Sequence, residues 1–174
     1  MYKLNGVMYS AEEIKSKVKE LAKQIEKDYA GEELLVVGIL KGASVFCADL
    51  IREIDLDVRM DFMVVSSYGS STESSGTVII IKDLDVDIEN KNVLIVEDII
   101  DSGLTLSSLV AALKTRRPKS LKLCTLLDKP QRRTANIDVD YVGYVIEDKF
   151  IVGYGIDYDE KYRNLPYIGI VEDI

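Results

Sequence analysis

Two adjacent acidic residues, Glu97 and Asp98, stand between an apolar run at 93–96 and the polar segment 101–105 (Asp-Ser-Gly-Leu-Thr). The apolar run predicts a buried strand, and open α/β sheets bind ligands at the carboxyl ends of such strands. The polar segment offers hydroxyl and backbone N–H groups at the start of a predicted helix, an arrangement that binds phosphate. Two adjacent carboxylates repel phosphate but accept hydrogen bonds from sugar hydroxyls. A ribose 5-phosphate group would therefore fit both parts of this segment, with its phosphate on residues 101–105 and its hydroxyls on Glu97 and Asp98.

The composition limits the chemistry that such a site can use. The chain contains no histidine, which excludes Ser-His-Asp, Cys-His and zinc–histidine sites. Its two cysteines, Cys47 and Cys124, each lie in an apolar run, so we expect buried thiols rather than a disulfide or a metal site. A net charge of −8 argues against a surface that attracts nucleic acid or anionic lipid. An anionic substrate would need metal ions and a few well-placed cations.

The elements that must position these residues alternate between strand and helix. Apolar and β-branched runs predict strands at 34–40, 58–65, 77–81, 92–96, 121–127, 141–146, 150–154 and 167–171. Helical spacing predicts helices from a capping box at Ser10 to near Gly31, at 43–54 and at 105–116. This alternation predicts an α/β domain with a mainly parallel central sheet flanked by helices.

The length and the apolar pattern also set expectations for the whole chain. A chain of 174 residues fits one domain better than two. No run approaches the roughly 18 apolar residues of a membrane-spanning helix, and the first residues lack the apolar core of an export signal. We therefore expect a cytoplasmic protein with no membrane partner.

The segment 66–76 is rich in Ser and Gly and contains one aromatic residue, Tyr68. Such a segment is typical of a mobile hairpin connection. The tyrosine is also compatible with a lid that closes over a bound ligand. The sequence leaves both interpretations open.

Residues 93–105 resemble the signature with which type I phosphoribosyltransferases bind phosphoribosyl pyrophosphate (PRPP). The resemblance extends over nearly the whole chain and is greatest with the hypoxanthine-guanine branch of that family. The other matching segments are 40–43, 67–68, 127–130, 148–158 and 162–166. Glu147 stands where the pattern has proline, and Ile151 where it has valine. The resemblance implies one domain over 1–174, with a small hood built from roughly 1–10 and 129–174.

The resemblance also implies a set of site residues. The PRPP-binding residues are expected to be Lys41, Gly42, Ser67, Tyr68, Glu97, Asp98, Asp101, Ser102, Gly103, Leu104, Thr105 and Arg163. The purine-binding residues are expected to be Lys129, Phe150, Ile151 and Asp157. Mg²⁺ is expected at Asp157, Glu97 and Asp98. A cis peptide bond is expected between Leu40 and Lys41, next to the pyrophosphate-binding residues Lys41 and Gly42.

The implied reaction transfers the 5-phosphoribosyl group of PRPP to N9 of hypoxanthine or guanine. Asp101 is expected to handle the purine proton, because the chain has no histidine for this task. Lys129 is expected to donate to the 6-oxo group of the purine, and Phe150 to stack on its ring. The family also suggests a homodimer or homotetramer.

Several alternatives remain open on sequence grounds. Without the resemblance, Lys41 would be interpreted as a lysine that extends into solvent from the end of a strand, and Lys129 as a surface lysine in a turn. Phe150 would be interpreted as part of the apolar core. Asp157 and Arg163 could form an ordinary exposed ion pair. Xanthine-guanine specificity on the same scaffold is a second enzymatic interpretation. A PRPP-sensing regulator that binds RNA or DNA is a third possibility, which the acidic composition disfavours.

Overall fold

The computed structural model describes residues 2–67 and 78–173. The strands are β1 (Tyr2–Tyr9), β2 (Leu34–Leu40), β3 (Val58–Ser67), β4 (Val78–Lys82), β5 (Asn92–Ile100), β6 (Ser120–Asp128), β7 (Tyr141–Val145), β8 (Ile151–Val152) and β9 (Ile168–Asp173). The helices are α1 (Ala11–Asp28), α2 (Ser44–Glu53) and α3 (Leu104–Lys114), with a short 3-10 turn at Pro130–Arg132.

Six of these strands form the larger sheet, in the order β4-β3-β2-β5-β6-β7. Every neighbouring pair is parallel except β3 and β4, which are antiparallel. The central strand β2 and the segment 93–96 of β5 are continuous apolar runs because helices cover both faces of the sheet there. The predicted fold class, a mainly parallel sheet flanked by helices, is confirmed.

The helices divide the core into two apolar clusters, one on each face of the larger sheet. The first cluster joins α1 and α2 to the sheet through residues such as Leu21 and Phe46. The second joins α3 to the opposite face through Leu109 and Leu113. The capping box is present, since the Ser10 hydroxyl accepts from the Glu13 N–H and the Glu13 carboxylate accepts from the Ser10 N–H.

A second, three-stranded sheet in the order β1-β9-β8 brings the two ends of the chain together. Two features differ from the hood expected over 1–10 and 129–174. β7 lies inside that range but belongs to the larger sheet, where it is parallel to β6. The strand expected at 150–154 contains only Ile151–Val152, because Gly153, Tyr154 and Gly155 have positive φ angles and turn the chain.

The strand that carries the acidic pair is longer than its apolar run. β5 continues through Glu97 and Asp98 to Ile100, four residues beyond the predicted end at 96. Hydrogen bonds to the parallel strand β6 extend the ladder as far as Ile100 opposite Asp128. Within the described ranges, no helix is both long and apolar enough to cross a bilayer.

The packing of α3 can be tested because its N-terminus carries the segment 101–105. Leu109 is fully buried against the sheet, whereas Lys114 on the same helix is exposed. We expect Leu109→Ala to lower the free energy of unfolding by about 2–5 kcal/mol through lost burial and a residual cavity. The control, Lys114→Ala, should change it by less than about 0.5 kcal/mol. Urea denaturation measures both, and equally small effects would contradict this packing.

Candidate active site

The carboxylate of Asp98 lies directly against the backbone of Gly42, just after β2. A Cβ atom at Gly42 would collide with this carboxylate, so only glycine permits the approach. The Asp98 carboxylate also accepts a hydrogen bond from the Ile99 N–H at 2.7 Å. The peptide bond between Leu40 and Lys41 is cis, as the family resemblance implied. Adjacent strands β2 and β5 therefore bring the acidic pair to the loop at 41–43.

Both acids of β5 are held in a poorly solvated environment. Burial raises the pKa of the Asp98 carboxyl to about 6, although the Ile99 N–H and the more distant charge of Arg163 act in the opposite direction. Burial, followed by repulsion from Asp98, raises the pKa of Glu97 well above its ordinary value. These shifts indicate a pair of carboxylates that lacks sufficient cationic or hydrogen-bonding compensation. Hydrogen bonds from sugar hydroxyls, or the charge of a metal ion, would supply this compensation.

The segment after β5 forms an open cleft of about 180 Å³, lined by Glu97, Val65, Leu109 and residues 99–106. Gly103 has φ +76 and is the N-cap of α3, so the N-cap residue itself has no side chain to cap the helix. The Leu104 N–H lies 3.4 Å from the Ser102 hydroxyl, and the Ser107 N–H donates to the Gly103 carbonyl. The cleft thus exposes a helix N-terminus suited to a phosphate group.

The segment 133–135 supports this loop from behind, a role that the sequence pattern did not reveal. Thr134 and Ala135 donate backbone N–H groups to the Ser102 carbonyl at 3.0 and 3.1 Å. Arg133 donates to the Asp101 carbonyl at 3.2 Å and pairs with the Asp128 carboxylate at the end of β6. A tether of this kind fixes the loop relative to the sheet.

Lys129 is buried and bridges two carboxylates. Its Nζ lies 3.6 Å from Asp101 Oδ1 and 3.5 Å from Asp148 Oδ1. Asp148 is also paired with Arg132 at 3.1 Å. The alternative of a surface lysine in a turn is therefore wrong, since only 6% of Lys129 is exposed. Asp148 belongs to this cluster, although no sequence signal assigned it a role.

Phe150 lies at the surface next to the buried strand β8. The residue is 46% exposed, and its ring meets that of Tyr158 edge to face, with centroids 5.2 Å apart. The core alternative for Phe150 is therefore wrong. Ile151 is buried, with its neighbour Val152, beneath this position.

The hood segment 155–163 packs on the loop at 41–43. A Cβ atom at Gly155 would collide with the Gly42 carbonyl oxygen, so the two backbones are in close contact. Arg163 donates to the Gly155 carbonyl at 2.8 Å and pairs with Asp157 Oδ1 at 3.1 Å. The Asp157–Arg163 pair of the simpler interpretation is thus present, but it is partly buried beside the loop. This segment brings a cation to the acidic end of β5.

A metal ion at this edge would have few protein ligands among the described residues. Among residues 2–67 and 78–173, no three His, Cys, Asp or Glu side chains form a group that could hold a metal ion. Mg²⁺ in proteins often uses one or two carboxylates together with substrate phosphates. The pair of Glu97 and Asp98 fits that mode, and Arg163, whose charge acts on Asp98, is itself paired with Asp157.

The flexible segment of the sequence-based prediction falls largely outside the described residues. Ser67 is the last residue of β3. Tyr68 and the rest of the segment up to 76 lie outside the ranges that the structure describes. Their expected role as a lid stays a prediction.

Comparison with known proteins gives a consistent result. A family model described as "Phosphoribosyl transferase domain" matches residues 8–159. A hypoxanthine-guanine phosphoribosyltransferase of Bacillus subtilis is 56% identical over 97% of this chain and 94% of its own length. A crystal structure of such an enzyme from Bacillus anthracis superimposes with a TM-score of 0.94 at 53% identity, covering 99% of this chain and 100% of that one.

The chain also matches part of larger proteins. It is 54% identical to the bifunctional protein TilS/HprT of Listeria monocytogenes over 97% of this chain, but it spans only 26% of that protein. The matched family model covers most of the chain, including the loop at 41–43 and the phosphate cleft at 101–105. On sequence, fold and site geometry, the chain belongs to the phosphoribosyltransferase family.

Proposed function

We propose that the protein salvages purines by transferring the 5-phosphoribosyl group of PRPP to N9 of hypoxanthine or guanine. The products are IMP or GMP and pyrophosphate. The observation that carries this proposal is the buried Lys129, which lies beside Asp101 at the same sheet edge as the phosphate cleft. The names of the Bacillus relatives support the same reaction.

The sheet edge offers a separate group for each part of PRPP. The 5-phosphate binds the hydroxyl and N–H groups of Ser102, Gly103, Leu104 and Thr105. The ribose hydroxyls donate to Glu97 and Asp98, which relieves the desolvation of these carboxylates. The pyrophosphate binds Lys41, the Gly42 N–H and Arg163. Ser67 and Tyr68 close over the ligand, because a cationic ribosyl centre must be protected from water.

The purine lies between Lys129 and the exposed ring of Phe150. The ammonium group of Lys129 donates to the 6-oxo group, whereas the 6-amino group of adenine would place donor against donor. Phe150 stacks on the purine ring. Ile151 and Asp157 complete the pocket.

Mg²⁺ is the cofactor that we assign to Asp157, Glu97 and Asp98. When bound, Mg²⁺ offsets the charge of the departing pyrophosphate, which an acidic protein cannot neutralise by itself. The carboxylates hold the ribose and orient its C1 toward the purine. Their negative charges also stabilise the positive charge that develops on the ribosyl group.

Asp101 accepts the purine proton as the new bond to N9 forms. The structure pairs its carboxylate with the Lys129 ammonium rather than with the backbone of the phosphate loop. When the Lys129 ammonium group donates a hydrogen bond to the purine, a carboxylate oxygen of Asp101 is available to accept the purine proton. Lys129 and Asp101 would thus act on the same base as donor and acceptor.

We further propose that residues 1–174 form one phosphoribosyltransferase domain, which assembles as a homodimer or homotetramer in the cytoplasm. The hood sheet supports the single domain, because it joins both ends of the chain over the larger sheet. No nucleic-acid or membrane partner is proposed.

The assignment of Lys129 predicts a base preference. With PRPP and Mg²⁺, we expect turnover of hypoxanthine and guanine but not of adenine or uracil. Lys129→Gln should lower kcat/KM for hypoxanthine by about 10- to 100-fold, because a hydrogen bond from a charged group is lost. The control Lys23→Gln, on the exposed face of α1, should leave it unchanged. Comparable activity of the wild type with adenine would overturn the role of Lys129.

The assignment of Asp101 predicts a selective loss of the chemical step. We expect Asp101→Asn to lower the single-turnover rate by about 10²- to 10⁴-fold, because asparagine cannot accept the proton. PRPP affinity should change little, since the N-cap of α3 is Gly103 and the helix receives no capping hydrogen bond from the Asp101 side chain.

Asp138→Asn, an exposed change in the loop before β7, is the matched control and should alter neither quantity. A collapse of PRPP affinity in Asp101→Asn would assign Asp101 a structural role instead. Unchanged rate and affinity would show that proton transfer to this group is not needed.

A further inference from the structure

Glu160 forms ion pairs with Lys41 and Arg163, the two cations that we assign to pyrophosphate. Its Oε2 lies 2.7 Å from Lys41 Nζ, and its Oε1 lies 3.2 Å from Arg163 Nη2. Lys41 and Glu160 are 119 residues apart in the chain, so the contact is made by the fold and not by local sequence. Glu160 lies between the segments 148–158 and 162–166 that resemble the family pattern, and belongs to neither.

The loop that carries Glu160 is ordered by its own hydrogen bonds. The Glu160 N–H donates to Asp157 Oδ2 at 2.9 Å, and the backbones of Tyr158 and Lys161 bond to each other in both directions. Asp159 and Glu160 both have left-handed backbone angles, with φ of 51° and 59°. These contacts fix the base of the loop and direct the Glu160 carboxylate toward the loop at 41–43.

A carboxylate that accepts from both a lysine and an arginine makes the contacts that a pyrophosphate oxygen pair would make. We propose that Glu160 is a built-in competitor of pyrophosphate. It pairs with Lys41 and Arg163 in the ligand-free protein, gives way when the pyrophosphate group of PRPP binds, and returns as the product leaves. The inference rests on the proposed pyrophosphate site at these two cations.

The exposure of the contact suits this exchange. The side chains of Lys41 and Glu160 are 67% and 65% exposed, and exposed ion pairs are weak. The more highly charged pyrophosphate can therefore displace the carboxylate. Arg163 keeps its bonds to the Gly155 carbonyl and to Asp157 when Glu160 leaves, so the guanidinium stays in position. Glu160 thus lowers the affinity for pyrophosphate without moving Arg163 out of the site.

The test measures equilibrium binding of magnesium pyrophosphate to the full chain by calorimetry. We expect Glu160→Gln to lower the Kd of pyrophosphate by about two- to tenfold, because the competing charge is removed. The matched control is Asp159→Asn, which removes one charge from the same loop, where Asp159 pairs only weakly with Lys161 at 3.5 Å. It should change the Kd much less. Pyrophosphate should also become a stronger product inhibitor against PRPP in Glu160→Gln, with the KM for hypoxanthine unchanged.

A third variant separates this inference from the site on which it rests. Lys41→Met should weaken pyrophosphate binding if Lys41 is a pyrophosphate cation. Equal affinity in Lys41→Met and the wild type would overturn the assignment of the site and, with it, the inference. Weaker binding in Lys41→Met together with unchanged or weaker binding in Glu160→Gln would overturn the competitor role alone. Glu160→Ala should reproduce the tighter binding of Glu160→Gln, and a different direction would contradict the proposal.

Discussion

The partial burial of two adjacent carboxylates at the end of β5 is the constraint on which the site depends. Glu97 and Asp98 lie in the strand itself and are partly buried, and their raised pKa values express the free-energy cost of ionising them there. The strand can impose this cost because five buried residues, Asn92–Val96, anchor it between two apolar clusters. In our account, the ribose hydroxyls and Mg²⁺ of the bound substrate remove the cost. Part of the free energy of substrate binding therefore arises at the ribosyl group, where the reaction takes place.

The rest of the edge is arranged around that acidic pair by close backbone contacts. Gly42 lets the Asp98 carboxylate approach the loop after β2, and Gly155 lets the hood approach the same loop from the other side. Arg163 closes the arrangement, because it bonds to the hood backbone and lies near Asp98. A side chain at either glycine would push these parts away from each other. The proposed pyrophosphate site is therefore formed jointly by the larger sheet and the hood, and in our proposal Glu160 competes with pyrophosphate for its two cations.

Sequence patterns predicted the parts of this structure that depend on local burial. β2 has the predicted bounds, Leu34–Leu40, because a strand covered on both faces is a continuous apolar run. β1 was not predicted as a strand, since its apolar pattern is interrupted by polar residues and Gly6, and its partner β9 is at the other end of the chain. The tethering by Arg133 and the contacts of Glu160 also escaped prediction. They depend on neighbours that only the fold brings close, and no spacing rule encodes them.

The most direct test of the central claim is a pH titration of the Glu97 and Asp98 carboxyl carbons by NMR in the ligand-free protein, with Glu97→Gln to assign the signals. We predict a pKa of about 6 for Asp98 and a pKa well above the ordinary value for Glu97. Both pKa values should fall when PRPP and Mg²⁺ bind. Because the folded pKa values are raised, these groups favour the fold when protonated, and this stabilisation is lost as the pH rises through the folded pKa. Ordinary carboxyl pKa values in the ligand-free protein would contradict the account.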